Sequence, residues 1–154
     1  MTNDLQKSAD YAVTTTAETI GAVSETRSKQ IYALAEKLNS MPGAEKLEIS
    51  HLIHGGTYTR TSKLPAGRIS CSAMLKIPTQ LIVSGHCRIV SEGDVIEVDG
   101  FKVLLGVPGR QVVVYAISDT WFTCLWATKA KTVEEAELEA VGEEQIAFLK
   151  EKGK

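Results

Sequence analysis

The sequence predicts a mainly β protein, a sandwich or barrel of short strands with an amphipathic helix on either side. Three observations carry that reading. Between Leu47 and Ala127, β-favouring runs recur at roughly eight- to ten-residue spacing, the rhythm of sandwiches and barrels. Residues that supply turn geometry separate them at nearly every step, among them Gly55-Gly56, Leu64-Pro65-Ala66-Gly67, Ile77-Pro78 and Ser84-Gly85. No helical pattern intervenes, and parallel strands would need long crossovers. A chain of 154 residues, 44% hydrophobic, fits one such unit with a core that needs no metal or disulfide staple.

In chain order, residues 1–17 are polar and rich in Thr, Asp, Asn and Ser, and read as a flexible or partner-bound arm. The segment 18–43 reads as an amphipathic helix. Ile20, Val23, Ile31, Leu34, Ala35 and Leu38 fall near the helical period, and Met41-Pro42-Gly43 ends it, because Pro cannot continue the hydrogen-bond ladder. Residues 44–130 hold the β region, with segments at 47–53, 57–60, 68–75, 79–84, 86–90, 94–98, 101–105, 111–117 and 120–127. Val98-Asp99-Gly100-Phe101 is the sharpest turn signal, since Asp-Gly favours the two-residue hairpin with positive φ. The stretch Gln111 to Ala127 predicts a buried β-hairpin reversing at Ser118-Asp119, entered through a tight turn at Val107-Pro108-Gly109-Arg110. Residues 131–154 return to helix. Thr132-Val133-Glu134-Glu135 has the capping-box form, Leu138, Val141, Ile146, Phe148 and Leu149 make an apolar stripe, Lys150 and Lys152 suit the C-terminal dipole, and Gly142 weakens the middle. Two such helices beside one small barrel carry more apolar surface than a monomer needs, so a homo-oligomer joined through helices and barrel edges is expected.

Bulk properties exclude several partners. A net charge of −2 removes the electrostatic argument for binding a nucleic acid polymer. No stretch approaches the ~20 apolar residues that span a bilayer, and no N-terminal run resembles a signal peptide. Cys71, Cys87 and Cys124 are an odd number with no C-x-x-C pair, so packed thiols are expected, in a cytoplasmic protein.

Few residues carry a chemical signature. His51 and His54 lie three apart on a strand, which points them to opposite faces and away from a shared metal, while His86 follows a Gly turn where it can touch a ligand. No nucleophile elbow, P-loop or dinucleotide fingerprint is present. Phe122, Cys124 and Trp126 share one face of their strand. With Tyr58 and Tyr115, Trp126 is either core or the aromatic wall of a pocket. Arg60 and Arg110 each follow a Gly-containing turn and stand out as anion ligands, because guanidinium holds phosphate or carboxylate through two parallel hydrogen bonds. Glu92, Asp94, Glu97 and Asp99 read as a charged edge that discourages aggregation.

In Gly56-Thr57-Tyr58-Thr59-Arg60, Leu64-Pro65-Ala66-Gly67, Leu81-Ile82-Val83-Ser84-Gly85, Pro108-Gly109-Arg110 with Val113-Val114-Tyr115-Ala116, and Asp119-Thr120-Trp121, the chain resembles the cupin superfamily. More narrowly, it resembles short cupin-like proteins of tailed phages, over residues 54–137. The resemblance implies a cupin-like double-stranded β-helix, or jelly roll, whose interior typically holds a divalent metal on His and a carboxylate. This chain departs from that pattern. Arg68 to Gln80 contains neither His nor carboxylate, the later ligand-bearing strand reads Val112-Val113-Val114, and Trp126 stands where related phage sequences often have His. No metal, cofactor or catalytic residue is therefore expected.

The function expected is that of a non-catalytic, metal-free, homo-oligomeric binding protein for a small anionic or nucleotide-like ligand. On the phage resemblance it would sequester a nucleotide-type signal of host defence in the host cytoplasm, with Trp126 and Tyr58 for the base and Arg60 and Arg110 for phosphate. The alternatives are a virion or assembly component whose helices 18–40 and 133–150 join subunits, and a metal-independent isomerase or lyase using Tyr and His.

Overall fold

The computed structural model of the chain describes residues 18–152. The arm expected at 1–17, and the side chains of Leu149, Lys150 and Lys152 expected to complete the last helix, lie outside the described residues. The elements run β1 (Thr19–Ile20), α1 (Glu25–Asn39), β2 (Glu48–His54), β3 (Thr57–Leu64), β4 (Ile69–Cys71), β5 (Thr79–Val90), β6 (Val95–Gly106), β7 (Val113–Ala116), β8 (Thr120–Ala127), α2 (Val133–Val141) and α3 (Glu143–Lys152).

Two strands of 12 residues each, β5 and β6, make an antiparallel ribbon from Thr79 opposite Gly106 to Val90 opposite Val95. The far edge of β5 is divided. Gln80 to Ser84 pair with β8, which continues through β3 to β2, whereas Cys87 to Val90 pair with β7, which continues to β4. One ribbon thus belongs to two sheets, and the protein is a mainly β jelly-roll sandwich with helices added. Its core lies between the sheets, where Leu81, Val83, Cys87, Ile89, Val98 and Leu104 pack together.

The ribbon changes sheet at Gly85, which pairs with Gly100. Both have positive φ, 142° and 111°, a backbone state that residues with a Cβ rarely adopt. At Gly85 the space is also taken: a Cβ would meet Thr120 Oγ1 at 2.5 Å and Asp119 O at 2.7 Å. The hairpin turn expected at Asp99-Gly100 is accordingly not there. Asp99 lies within β6 opposite His86, and the reversal falls at 91–94, where Ser91 N donates to Asp94 O at 3.2 Å and Gly93 has a φ of 85°. Four expected segments, 79–84 with 86–90 and 94–98 with 101–105, are therefore two bent strands.

The hairpin expected between Gln111 and Ala127 is also corrected. β7 and β8 do not pair with each other; each pairs with a different half of β5. Ser118-Asp119 is a corner between sheets, fixed by the Ile117 and Ser118 amides, which both donate to His86 O (2.8 and 3.0 Å), and by Thr120 Oγ1 donating to Ser118 O (2.9 Å). The tight turn ahead of it is as expected: Arg110 N donates to Val107 O at 3.1 Å, with Pro108 first and Gly109 at a φ of 91° second.

The first helix starts at Glu25, not near Glu18. Ile20, 1% exposed, is drawn into the sheet as β1 beside β6, and Ser24 caps α1 by accepting from Arg27 N at 3.1 Å. Burial of one isoleucine outweighs the helical period there. At the other end, Gly142 at a φ of 79° divides the expected single helix into α2 and α3. Thr132 caps α2 by accepting from Glu135 N at 3.2 Å, while the Glu135 carboxylate accepts from Lys131 N instead of closing the capping box.

The helices cover the barrel. Ile31 and Ala35 of α1 pack on Cys71, and Ala136, Ala140 and Val141 of α2 pack with Tyr58 and Trp126. These apolar faces, which the sequence suggested would seek a second copy, are occupied within one chain; among the described residues of the helices, Leu138 is the exposed exception. Among the described residues no helix is long and apolar enough to cross a membrane.

Candidate functional site

A cavity of about 110 Å³ lies between the sheets. Strand alternation aims its lining: the inward residues Tyr58, Arg60 and Ser62 of β3 stand opposite Trp126, Cys124 and Phe122 of β8. Arg60, Ser62, Phe122, Cys124 and Trp126 line the cavity, joined by Arg110 from the turn after β6 and by Ser70 and Ser72.

Arg110 is the unusual member, with only 2% of the residue exposed. Its backbone is held on two sides, bridging to Ala22 and Leu75. Its Nε donates to Thr79 Oγ1 at 3.0 Å and its Nη2 to Cys124 Sγ at 3.1 Å. Neither Arg110 nor Arg60 has an ion pair among the described residues, and the cavity lining contains no carboxylate. A buried cation held only by neutral acceptors keeps most of its desolvation cost uncompensated.

The neighbours respond to that charge. Burial pushes the Cys124 thiol above its ordinary range, and the Arg110 and Arg60 charges oppose the shift. Trp126 is 4% exposed, and its buried Nε1–H has no partner among the described residues. An indole N–H in that position normally finds an acceptor.

Of the six residues singled out as ligand contacts, Arg60, Arg110 and Trp126 meet in this cavity. Tyr58 stands behind it, fully buried, its ring 4.4 Å from that of Trp126. Its hydroxyl donates to Glu137 Oε1 at 3.1 Å and lies 2.7 Å from His51 Nδ1, which ties β2 and β3 to α2. Burial first, then the Glu137 charge, raises the Tyr58 phenol far above its usual range and keeps it protonated. Tyr115 is 43% exposed on the outer face of β7, and His86 sits at the bend of β5 with its Nε2 3.1 Å from Glu97 Oε1. Neither lines the cavity. Thr79 and Gly106, which hold and seat Arg110, were not foreseen; their role depends on the β5–β6 register, for which one sequence offers no local signal.

The site does not suit the metal that the cupin resemblance implies. Its lining offers one thiol and no imidazole or carboxylate, and two cations stand beside that thiol. Among the described residues no group of three or more His, Cys, Asp or Glu side chains converges.

No protein-family model matches the chain, and no curated protein matches it. Solved structures with a similar course include a protein with a double-stranded β-helix domain from Klebsiella pneumoniae, at 13% identity and a TM-score of 0.48 over 60% of this chain and 85% of that one. They also include a cupin-2 domain protein from Shewanella frigidimarina, at 9% and 0.45 over 61% and 91%. A third is the Cnp3 cupin domain of Schizosaccharomyces pombe, at 15% and 0.46 over 65% and 73%. The strand register described above defines the fold without them.

Proposed function

We propose that this protein is a non-catalytic binding module whose barrel takes the anionic group of a small molecule. The observation behind this is the Arg110 guanidinium, buried without a carboxylate and sharing its cavity with Arg60 and Trp126. An anion there gives two guanidinium groups charge-assisted partners beside a largely buried wall, where such bonds are stronger than in open water. Size limits what enters. A dry cavity of ~150 Å³ is what benzene fills, so the 110 Å³ here admits a phosphate or carboxylate group and not a nucleoside. Sequestration of a nucleotide-type signal by a phage accessory protein therefore takes the form of phosphate inside and base outside.

Thermal shift in chloride buffer tests the reading, with phosphate, sulfate and acetate added in turn. At least one should raise Tm saturably in the wild type and leave an Arg110→Met chain unmoved. A flat response from all three removes the proposal.

A self-associating or assembly role is favoured by a different surface. Phe101, at 66% exposed, and Trp121, at 45%, are aligned on either side of Ser84 in adjacent strands, and Val103 and Leu105 continue the outward face of β6. Exposed apolar area on one sheet face suits a second copy. Measured mass in solution decides: an oligomer that Phe101→Glu dissociates supports the role, and a monomeric wild type ends it.

A further inference from the structure

The cavity has a neighbour. A groove of about 400 Å³ lies between the end of α1, the loop at 41–45, β4 and Phe148, and its apolar walls are Leu38, Met41, Leu47, Leu64, Ile69 and Phe148. Leu47 and Ser70 line both spaces, the groove on one side and the cation-bearing cavity on the other. The polar side chains of the groove are Asn39, Glu45, Arg68 and Ser70, and Phe148 is its aromatic one. The volumes differ in kind, since small-molecule sites run to ~300–1,000 Å³ and only the groove reaches that range.

We infer that the ligand is an amphiphilic anion: a carboxylate or phosphate head seated on Arg110 and Arg60, with an aliphatic body lying past Leu47 in the groove between α1 and β4. The inference rests on the anion-binding reading of the cavity and adds the chemistry of the rest of the molecule. The two compartments adjoin at Leu47 and Ser70, which line both. The Arg110 and Arg60 cations at one end and the apolar side chains of the groove at the other give the ligand its polarity. Binding of the body removes apolar surface from water on both sides, so affinity grows with chain length until the groove is filled, at roughly three- to fourfold for each buried methylene.

A homologous series tests this in a Trp121→Phe chain, where Trp126 is the one remaining indole. Its fluorescence is titrated with acetate, butyrate, hexanoate and octanoate, with the matching monoalkyl phosphates, and with hexanol as the neutral control. The expected result is a Kd that falls about tenfold or more from one acid to the next, and no saturable response to hexanol. Met41→Asp, at an exposed groove position, should abolish the dependence on length and leave the acetate Kd within twofold. Acetate or inorganic phosphate binding with no gain from the longer chains overturns the amphiphile and leaves the anion site standing. Absence of any anion response overturns both. A nucleoside 5′-monophosphate that binds tenfold tighter than hexyl phosphate overturns the aliphatic body and favours nucleotide sequestration instead.

Discussion

The side chain of Arg110 lies across the α-carbon of Gly106, so closely that a Cβ at 106 would meet Arg110 Cδ at 2.6 Å and Thr79 Oγ1 at 2.5 Å. The last residue of β6 is thus the seat of the buried guanidinium. Gly106→Ala forces Arg110 or Thr79 to move, and overpacking of this kind costs about 1–3 kcal/mol. Denaturant unfolding should show that loss, together with at least a tenfold weaker anion response. A variant that binds anions as well as the wild type would mean that Arg110 does not set the site.

Removing the cation itself has the opposite effect on stability. Arg110→Met keeps much of the side chain's volume and discards a buried charge that has no carboxylate partner, so the ligand-free chain should gain about 1 kcal/mol or more. Urea unfolding in anion-poor buffer measures this. A destabilisation above about 2 kcal/mol would show that Thr79 and Cys124 alone satisfy Arg110 and that its purpose is structural.

At the bend of β5, Gly85→Ala meets both a positive φ and the backbone of Asp119 and Thr120. The strain and the steric conflict together should cost about 2–4 kcal/mol, seen as a lower urea midpoint. Gly100→Ala, with open space around its Cβ, should cost less, on the order of 1 kcal/mol from its φ alone. Equal losses at the two positions would contradict the close approach of Thr120 to Gly85.

The contact of β2 with α2 titrates. Burial holds His51 below its ordinary range and Arg60 adds to this, against the pull of Glu137 and Glu134. The folded chain therefore binds fewer protons at His51 than the unfolded one, whose histidine titrates near ~6.5. Its contribution to stability is whole above that value and declines as pH falls from there toward the folded pKa. Unfolding free energy measured between pH 7.5 and 5 should fall for the wild type and fall less for His51→Gln. If the two profiles are parallel, His51 is not the group responsible.

The strand region and its turn chemistry were legible because they are local. Alternation on β8 aims Phe122, Cys124 and Trp126 inward and Trp121 outward, and Pro108-Gly109 makes its turn from its own dihedral preferences. Arg110 directly follows the Pro108-Gly109 turn and Arg60 lies in β3 four residues past Gly56, the positions that singled them out in the sequence.

What escaped such reading depended on residues far away in the chain. Asp99-Gly100 has the composition of a hairpin turn, yet it lies inside a strand because Gly85 and His86 pair with it. Ser118-Asp119 became a corner because β5 is long enough to receive β7 and β8 on one edge, and Ile20 left its helix for a place in the core. Residue types and their spacing thus set which segments extend, where the chain can turn and which side chains face inward, because those follow from each residue's own dihedrals and polarity. Which strands meet, and hence that Arg110 is buried beside Arg60 and Trp126 while Tyr115 and His86 stay outside, was settled only on folding, because pairing and burial are energies shared between distant parts of the chain.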